Sequence, residues 1–133
     1  GQDARLERLL QALSGSLECL RFDRDFEDLS DLMFESVDAG ISHCDAGVAE
    51  TGSLVLASSA TRPRSVSLIP PLHVALLPQE LLLDDLSSLM AGWSDRPPPN
   101  RILISGPSKS ADIEQVLAYG VHGPKRLLTV ILD

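Results

Sequence analysis

Apolar residues recur at two different periods along this chain, and the switches between them divide it into elements. In residues 3–13, DARLERLLQAL, the residues Leu6, Leu9, Leu10 and Leu13 share one helical face, which predicts a helix that Gly15 ends. Ser16 to Phe22, SLECLRF, alternates and reads as a short strand. DRDFEDLSDLMFES is acidic with Phe26, Leu29, Leu32 and Met33 on one face, which predicts a second helix. From Val37 the runs shorten. VDAGISHCDAGVAETGSLVLASS is punctuated by Gly40, Gly47 and Gly52, and predicts strands at about 38–42 and 53–57 with a loop between. ATRPR is a turn. SVSLI and HVALL are short apolar runs separated by Pro70-Pro71, a pair that excludes a central strand position at that point and is a candidate for a cis bond.

The second half repeats the alternation. Residues 79–91, QELLLDDLSSLMA, place Leu82, Leu83, Leu86, Leu89 and Met90 at helical spacing, and Gly92 stops them. DRPPPN is a stiff, exposed connector. RILIS is a strand. A helix is expected over about 111–119, with Ile113, Val116 and Leu117 inward and Gly120 at its end. RLLTVIL closes the chain as a strand apolar on both faces. Continuous apolar strands interleaved with helices require a sheet covered on both sides. The expectation is therefore α/β: a three-layer α/β/α sandwich, mostly parallel, forming one domain over residues 1–133.

Composition narrows the function classes. The 44% apolar share is ordinary and only 4% of residues are aromatic, so the core must be built from Leu, Val, Ile and Ala. A net charge of -8 disfavours nucleic acid, whose phosphates are held by Lys and Arg. Two cysteines, Cys19 and Cys44, form no disulfide framework and point to a reducing, intracellular compartment. With three histidines they are too few for an iron–sulfur site, and no CxxC or HExxH occurs, so no metal site of the chain's own is expected. The longest apolar region, Leu68 to Leu83, is broken by Pro70, Pro71, His73, Pro78 and Glu80 and is no membrane span. The chain opens on charged residues rather than a signal peptide, and the missing initiator Met leads us to expect further sequence upstream.

Four segments at element junctions carry candidate chemistry. In SGPSKSADIE, Ser110 suits a helix N-cap, and Ser108 and Lys109 beside the freed amides could hold phosphate or carboxylate. The alternative is a plain strand-to-helix turn, and Asp112 would repel an anion there. In GISHCDAGVAETGSLVL, Asp45 and Glu50 follow a strand, where a carboxylate can serve as base or nucleophile. The alternative is an Asx turn at Asp45 and amide contacts at Glu50. Adjacent strand residues point to opposite faces, so His43 and Cys44 do not form a catalytic pair. In RSVSLIPPLHVALLP, Arg64 is a candidate anion partner, and His73 either lines a site or caps the proline turn. In GVHGP, His122 either enters a cleft or bonds a backbone carbonyl.

AGVAETGSLVL, RSVSLIPPLHVALLP and SGPSKSADIEQVLAYGVHGPKRLLTVIL, in this order over residues 37–133, resemble the signature segments of the LUD-domain (lactate utilisation) family. That family includes the C subunit of the bacterial L-lactate utilisation system. The N-terminal third resembles it little and is expected to be shortened. The resemblance implies a Rossmann-like α/β/α sandwich similar to that of sugar-phosphate isomerases and CoA transferases. It also implies a cytoplasmic part in oxidising L-lactate to pyruvate, with iron–sulfur clusters on partner subunits and none here. The chemistry of such a C subunit is open: catalytic, regulatory or a scaffold.

By the same resemblance Asp45 and Glu50 fall where the broader fold places working carboxylates, as in CoA transferases. Arg64, His73, Ser108, Lys109, Asp112, Glu114 and His122 match polar signature positions. Ser42-His43-Cys44 departs from the family, which more often has Thr-Gly and a small residue there, and a bulky His43 is expected to fill part of a pocket. Three readings follow. The first is a lactate-utilisation subunit that binds a small anionic or phosphorylated ligand between the Asp45–Glu50 loop and Ser108–Ser110. The second is a CoA transferase- or phosphosugar isomerase-like enzyme using Glu50 or Asp45. The third is a non-catalytic assembly subunit.

Overall fold

The computed structural model describes residues 2–20, 31, 33–59, 61–93, 97–111, 117–119 and 122–133. In chain order its elements are α1 (Gln2–Leu13), β1 (Ala39–His43), β2 (Ala46–Val48), β3 (Ser53–Ser58), α2 (Ser65–Leu68), β4 (Leu72–Pro78), a 3-10 turn (Gln79–Leu81), β5 (Leu82–Leu83), α3 (Leu86–Ala91), β6 (Asn100–Ile104), β7 (Lys109–Ala111), β8 (Leu117–Tyr119) and β9 (Arg126–Leu132). The fold is α/β, with helices beside mixed sheets. One sheet is parallel, in the order β1-β4-β9. A second, in the order β5-β2-β3-β6, joins β2, β3 and β6 antiparallel and adds β5 parallel to β2. β7 and β8 form a separate antiparallel pair.

Period-2 patterning explains how the layers meet. Leu54 and Leu56 on one face of β3 pack with Cys44, Ala75 and Leu77. Val55 on the other face packs with Ala46, Val48 and Leu89 of α3. β3 is thus filled from both sides, and so is β4, whose Ala75, Leu76 and Leu77 are all buried in the centre of the parallel sheet. Gly40 fixes the next layer. A side chain there would run into the Val66 carbonyl and meet Pro70 Cγ at 3.1 Å, so glycine lets α2 lie directly on β1. Among the described residues, no helix is long and apolar enough to cross a membrane.

Several expected elements differ. The strand over 16–22 is absent in its described part: residues 14–16 form a turn, and the Leu17 amide and Ser16 hydroxyl bond back to the Leu13 carbonyl at 2.9 and 3.3 Å. Leu17 and Leu20 are exposed, so alternation there has no layer to bury against. Of the acidic second helix, residues 31 and 33–35 are helical with Met33 buried, and 23–30 lie outside the described residues. SVSLI begins as the short helix α2, which follows Pro63, whose carbonyl accepts from the Val66 amide at 3.4 Å. The candidate cis bond at Pro70-Pro71 is absent: both peptide bonds are trans.

The helix expected over 79–91 is split. Leu82 and Leu83 pair with Gly47 and Val48, and Asp85 caps a new start by accepting from the Ser88 amide at 2.7 Å. That bond holds the Asp85 carboxyl below the ordinary carboxylate range. An aspartate pair in mid-segment was the available signal, since Asp favours caps over helix interiors. The helix expected over 111–119 is replaced at Ala111 and Leu117–Tyr119 by strands paired to each other, so Ser110 lies in β7 and is no N-cap. Asp112, Ile113, Glu114 and Val116 lie outside the described residues.

Candidate functional site

A cleft of about 200 Å³ opens at the N-terminal ends of β4 and β9, where His73 and Leu127 are paired second residues of their strands. Two loops form its rim. Gly106, Pro107 and Ser108 follow β6, and His122, Gly123 and Pro124 precede β9. The Ser108 amide donates to the Pro124 carbonyl at 2.8 Å, so the two rim loops are bonded to each other. Two glycines flank this contact. Gly106 has φ of 144°, outside the range of side-chain-bearing residues, and Gly123 lies against Ser108, where a Cβ would be in close contact with Ser108 Cβ at 3.4 Å. Leu68, Ile102, Ile104 and Leu127 supply apolar wall, and Ser67, His73, Ser108 and His122 supply polar groups. The lining includes no Lys or Arg among the described residues.

His73 lies fully buried in this wall. Its Nε2 is 2.6 Å from Ser42 Oγ on β1, while Nδ1 has no partner. Burial pulls its pKa down to about 4, so the ring is neutral near pH 7. A neutral imidazole has one donor and one acceptor, and when Ser42 donates to Nε2 the unmatched Nδ1–H is a donor. Ser67, by contrast, spends its hydroxyl on the Arg64 carbonyl at 2.9 Å.

The other candidates sit elsewhere. Asp45 follows β1 at the opposite ends of the parallel strands. Its Oδ2 accepts from the Ala57 amide at 2.6 Å, and Arg62 clasps both oxygens at 2.9 and 3.2 Å. Arg62 also donates to the His43 carbonyl at 3.0 Å. This ties the β1–β2 junction to β3 and to the 59–62 turn, where Ser59 and Arg62 pair through their backbones. Glu50 is exposed in the β2–β3 turn, its amide bonded to the Asp84 carbonyl at 3.0 Å. Arg64 is exposed at the N-cap of α2. Lys109 is exposed in β7, and Ser110 lies beside it opposite Ala118.

The structure thus gathers His73, Ser108 and His122 and leaves Asp45, Glu50, Arg64 and Lys109 out of the cleft lining. His43 is buried in β1 and is not part of that lining. The Cys44 thiol, pushed up to about 12 by burial and then by Asp45, is an inert core group. Sequence reasoning passed over Ser42 and Arg62. Arg62 shares the ATRPR turn with Arg64, and nothing in that turn distinguishes the two. Ser42 carries a weak signal, since strand alternation puts it on the face opposite His43. Among the described residues, no three of His, Cys, Asp and Glu are grouped so as to hold a metal ion.

This architecture is that of an α/β protein with a small, mostly apolar cleft at one end of its parallel sheet. Its fold is similar to that of a DUF162 family protein from Deinococcus radiodurans, at a TM-score of 0.51 and 24% identity over 75% of this chain and 56% of that one. The LUD domain profile matches residues 21–132, and the chain belongs to the LUD domain family. It is 38% identical over 120 residues to an uncharacterized protein of Neisseria meningitidis, covering 88% of this chain and 52% of that protein. It is 40% identical over 105 residues to lactate utilization protein C of Halalkalibacterium halodurans, covering 74% of this chain and 46% of that protein. The chain spans about half the length of the curated relatives it matches.

Proposed function

We propose that the chain serves in lactate utilisation as a C-type subunit, and that its cleft binds a small carboxylate of the L-lactate and pyruvate kind. The observation that carries the reading is the cleft itself, in which two family signature loops close over a buried, half-satisfied His73. Its volume of about 200 Å³ suits a metabolite of a few heavy atoms and is small for a nucleotide or a CoA thioester. Its polar groups are hydroxyls and imidazoles, which hydrogen-bond a monoanion, and a phosphoryl group would find no Lys or Arg among the described lining residues. Names of relatives support the setting: lactate utilization protein C recurs among them, in Oceanobacillus iheyensis at 34% identity as well.

Oxidation of lactate to pyruvate releases two electrons, and in this reading the iron–sulfur clusters that take them belong to partner subunits. The enzyme-like alternative places the chemistry on Asp45 or Glu50. It has less support, because Asp45 is already claimed by Arg62 and the Ala57 amide, and Glu50 lies outside the cleft.

Calorimetric titration of the chain with L-lactate, pyruvate, CoA and inorganic phosphate tests the ligand. Saturable heat with the two carboxylates, abolished in His73→Phe, is the expected result. Silence toward all four would leave the assembly reading in its place. Restored growth on L-lactate in a host deleted for its own C protein tests the pathway separately.

A further inference from the structure

The final strand raises a question that the cleft does not answer. β9 pairs along its whole length with β4 and is the edge of the parallel sheet among the described residues. Soluble proteins protect such edges with charge, proline or a bulge, because the open row of amides and carbonyls recruits other strands. After its first residue, the exposed Arg126, β9 contains no charge and no proline, and Leu128 and Ile131 are 52% and 56% exposed. Lys125 and Asp133 flank it, both exposed.

We propose that this edge pairs with the same edge of a second copy, giving a two-fold dimer with a continuous six-stranded sheet. The occupant follows from the charge pattern. In a symmetric antiparallel pair a residue on the axis must face itself, and centring on Thr129 sets the rest. Leu128 faces Val130 of the second copy, Leu127 faces Ile131, Arg126 faces Leu132 on the opposite face, and Lys125 faces Asp133. Each end of the seam then carries an opposite-charge pair on the same face as a Thr–Thr pair and the Leu–Ile contacts, all favourable across antiparallel strands. Centring on Leu128 instead puts Lys125 opposite Ile131, and the charge match is lost.

Sedimentation equilibrium of the 133-residue chain is the test, with Lys125→Glu, Asp133→Lys and the double exchange beside it. The expected result is a reversible dimer that each single reversal weakens by about tenfold and the double exchange restores. A chain that stays monomeric, or a dimer indifferent to all three variants, would overturn the proposal. Circular dichroism checks that these exposed variants fold.

Discussion

The two ends of the parallel strands each carry a polar cluster, and the clusters are satisfied to different degrees. Beyond the C-terminal end of β1, Asp45 is engaged at both oxygens, and Arg62 completes the set on the His43 carbonyl. At the N-terminal end of β4, His73 has Ser42 at one nitrogen and nothing at the other. The first cluster joins three segments of chain and has little capacity left to do anything else. The second leaves one nitrogen of a fully buried ring in the cleft wall without a partner, which costs stability. Residue type alone would rank the carboxylate as the more reactive group. Its partners reverse that ranking.

The largest test of this contrast is acid. The unfolded chain protonates His73 below its ordinary 6.5, while the folded chain resists until about 4. Between these values the unfolded state holds the extra proton, so stability contributed by the neutral ring is complete above 6.5 and falls as pH falls toward 4. The loss levels off below that and amounts to about 3 kcal/mol at most. His73→Phe keeps the bulk and removes the titration. Urea midpoints at pH 7 and 4.5 should therefore drop less for the variant than for the parent. Equal drops would mean that the ring is already charged when folded.

Next in size is the clamp. Asp45→Ala removes the acceptor for an amide and a guanidinium, and should cost about 2 kcal/mol by urea denaturation, since Arg62 is 41% exposed and is resolvated. Asp45→Asn keeps an acceptor for the Ala57 amide and should cost about half of that. Carboxylate binding should be unchanged in both. An Asp45→Asn protein of parental stability that no longer binds ligand would move Asp45 into the same class as His73.

How far the sequence foretold this arrangement depends on the range of the interaction. Strands at β1, β3, β4, β6 and β9 were legible as short apolar runs between turn residues, and in β3 and β4 the run also marks burial, whereas Leu128 and Ile131 of β9 are exposed. The segment 79–91 was misread as one helix because its leucines fit helical spacing equally well, and only pairing of Leu82 and Leu83 with β2 decides otherwise. The same holds for Lys109–Ala111, whose strand partner lies beyond the turn. At the site, glycine and proline marked both cleft loops, and His73, Ser108 and His122 were in view. What the residues could not disclose was which candidates meet: that depends on the parallel register of β4 with β1 and β9, a long-range fact with no local trace.

The smallest expected effects separate ligand contact from stability most cleanly. Ser108 and His122 lie on the rim, so Ser108→Ala and His122→Ala should change stability by less than about 0.5 kcal/mol. Each removes one hydrogen-bonding group from the cleft and should weaken carboxylate binding by about tenfold, the worth of one such bond. Glu50→Gln, at the exposed β2–β3 turn, should alter neither quantity. Calorimetry on the three variants reads both effects against the parent. If Glu50→Gln weakens binding while the rim variants do not, the ligand belongs to the β2–β3 turn, and the open nitrogen of His73 is a structural defect rather than a site.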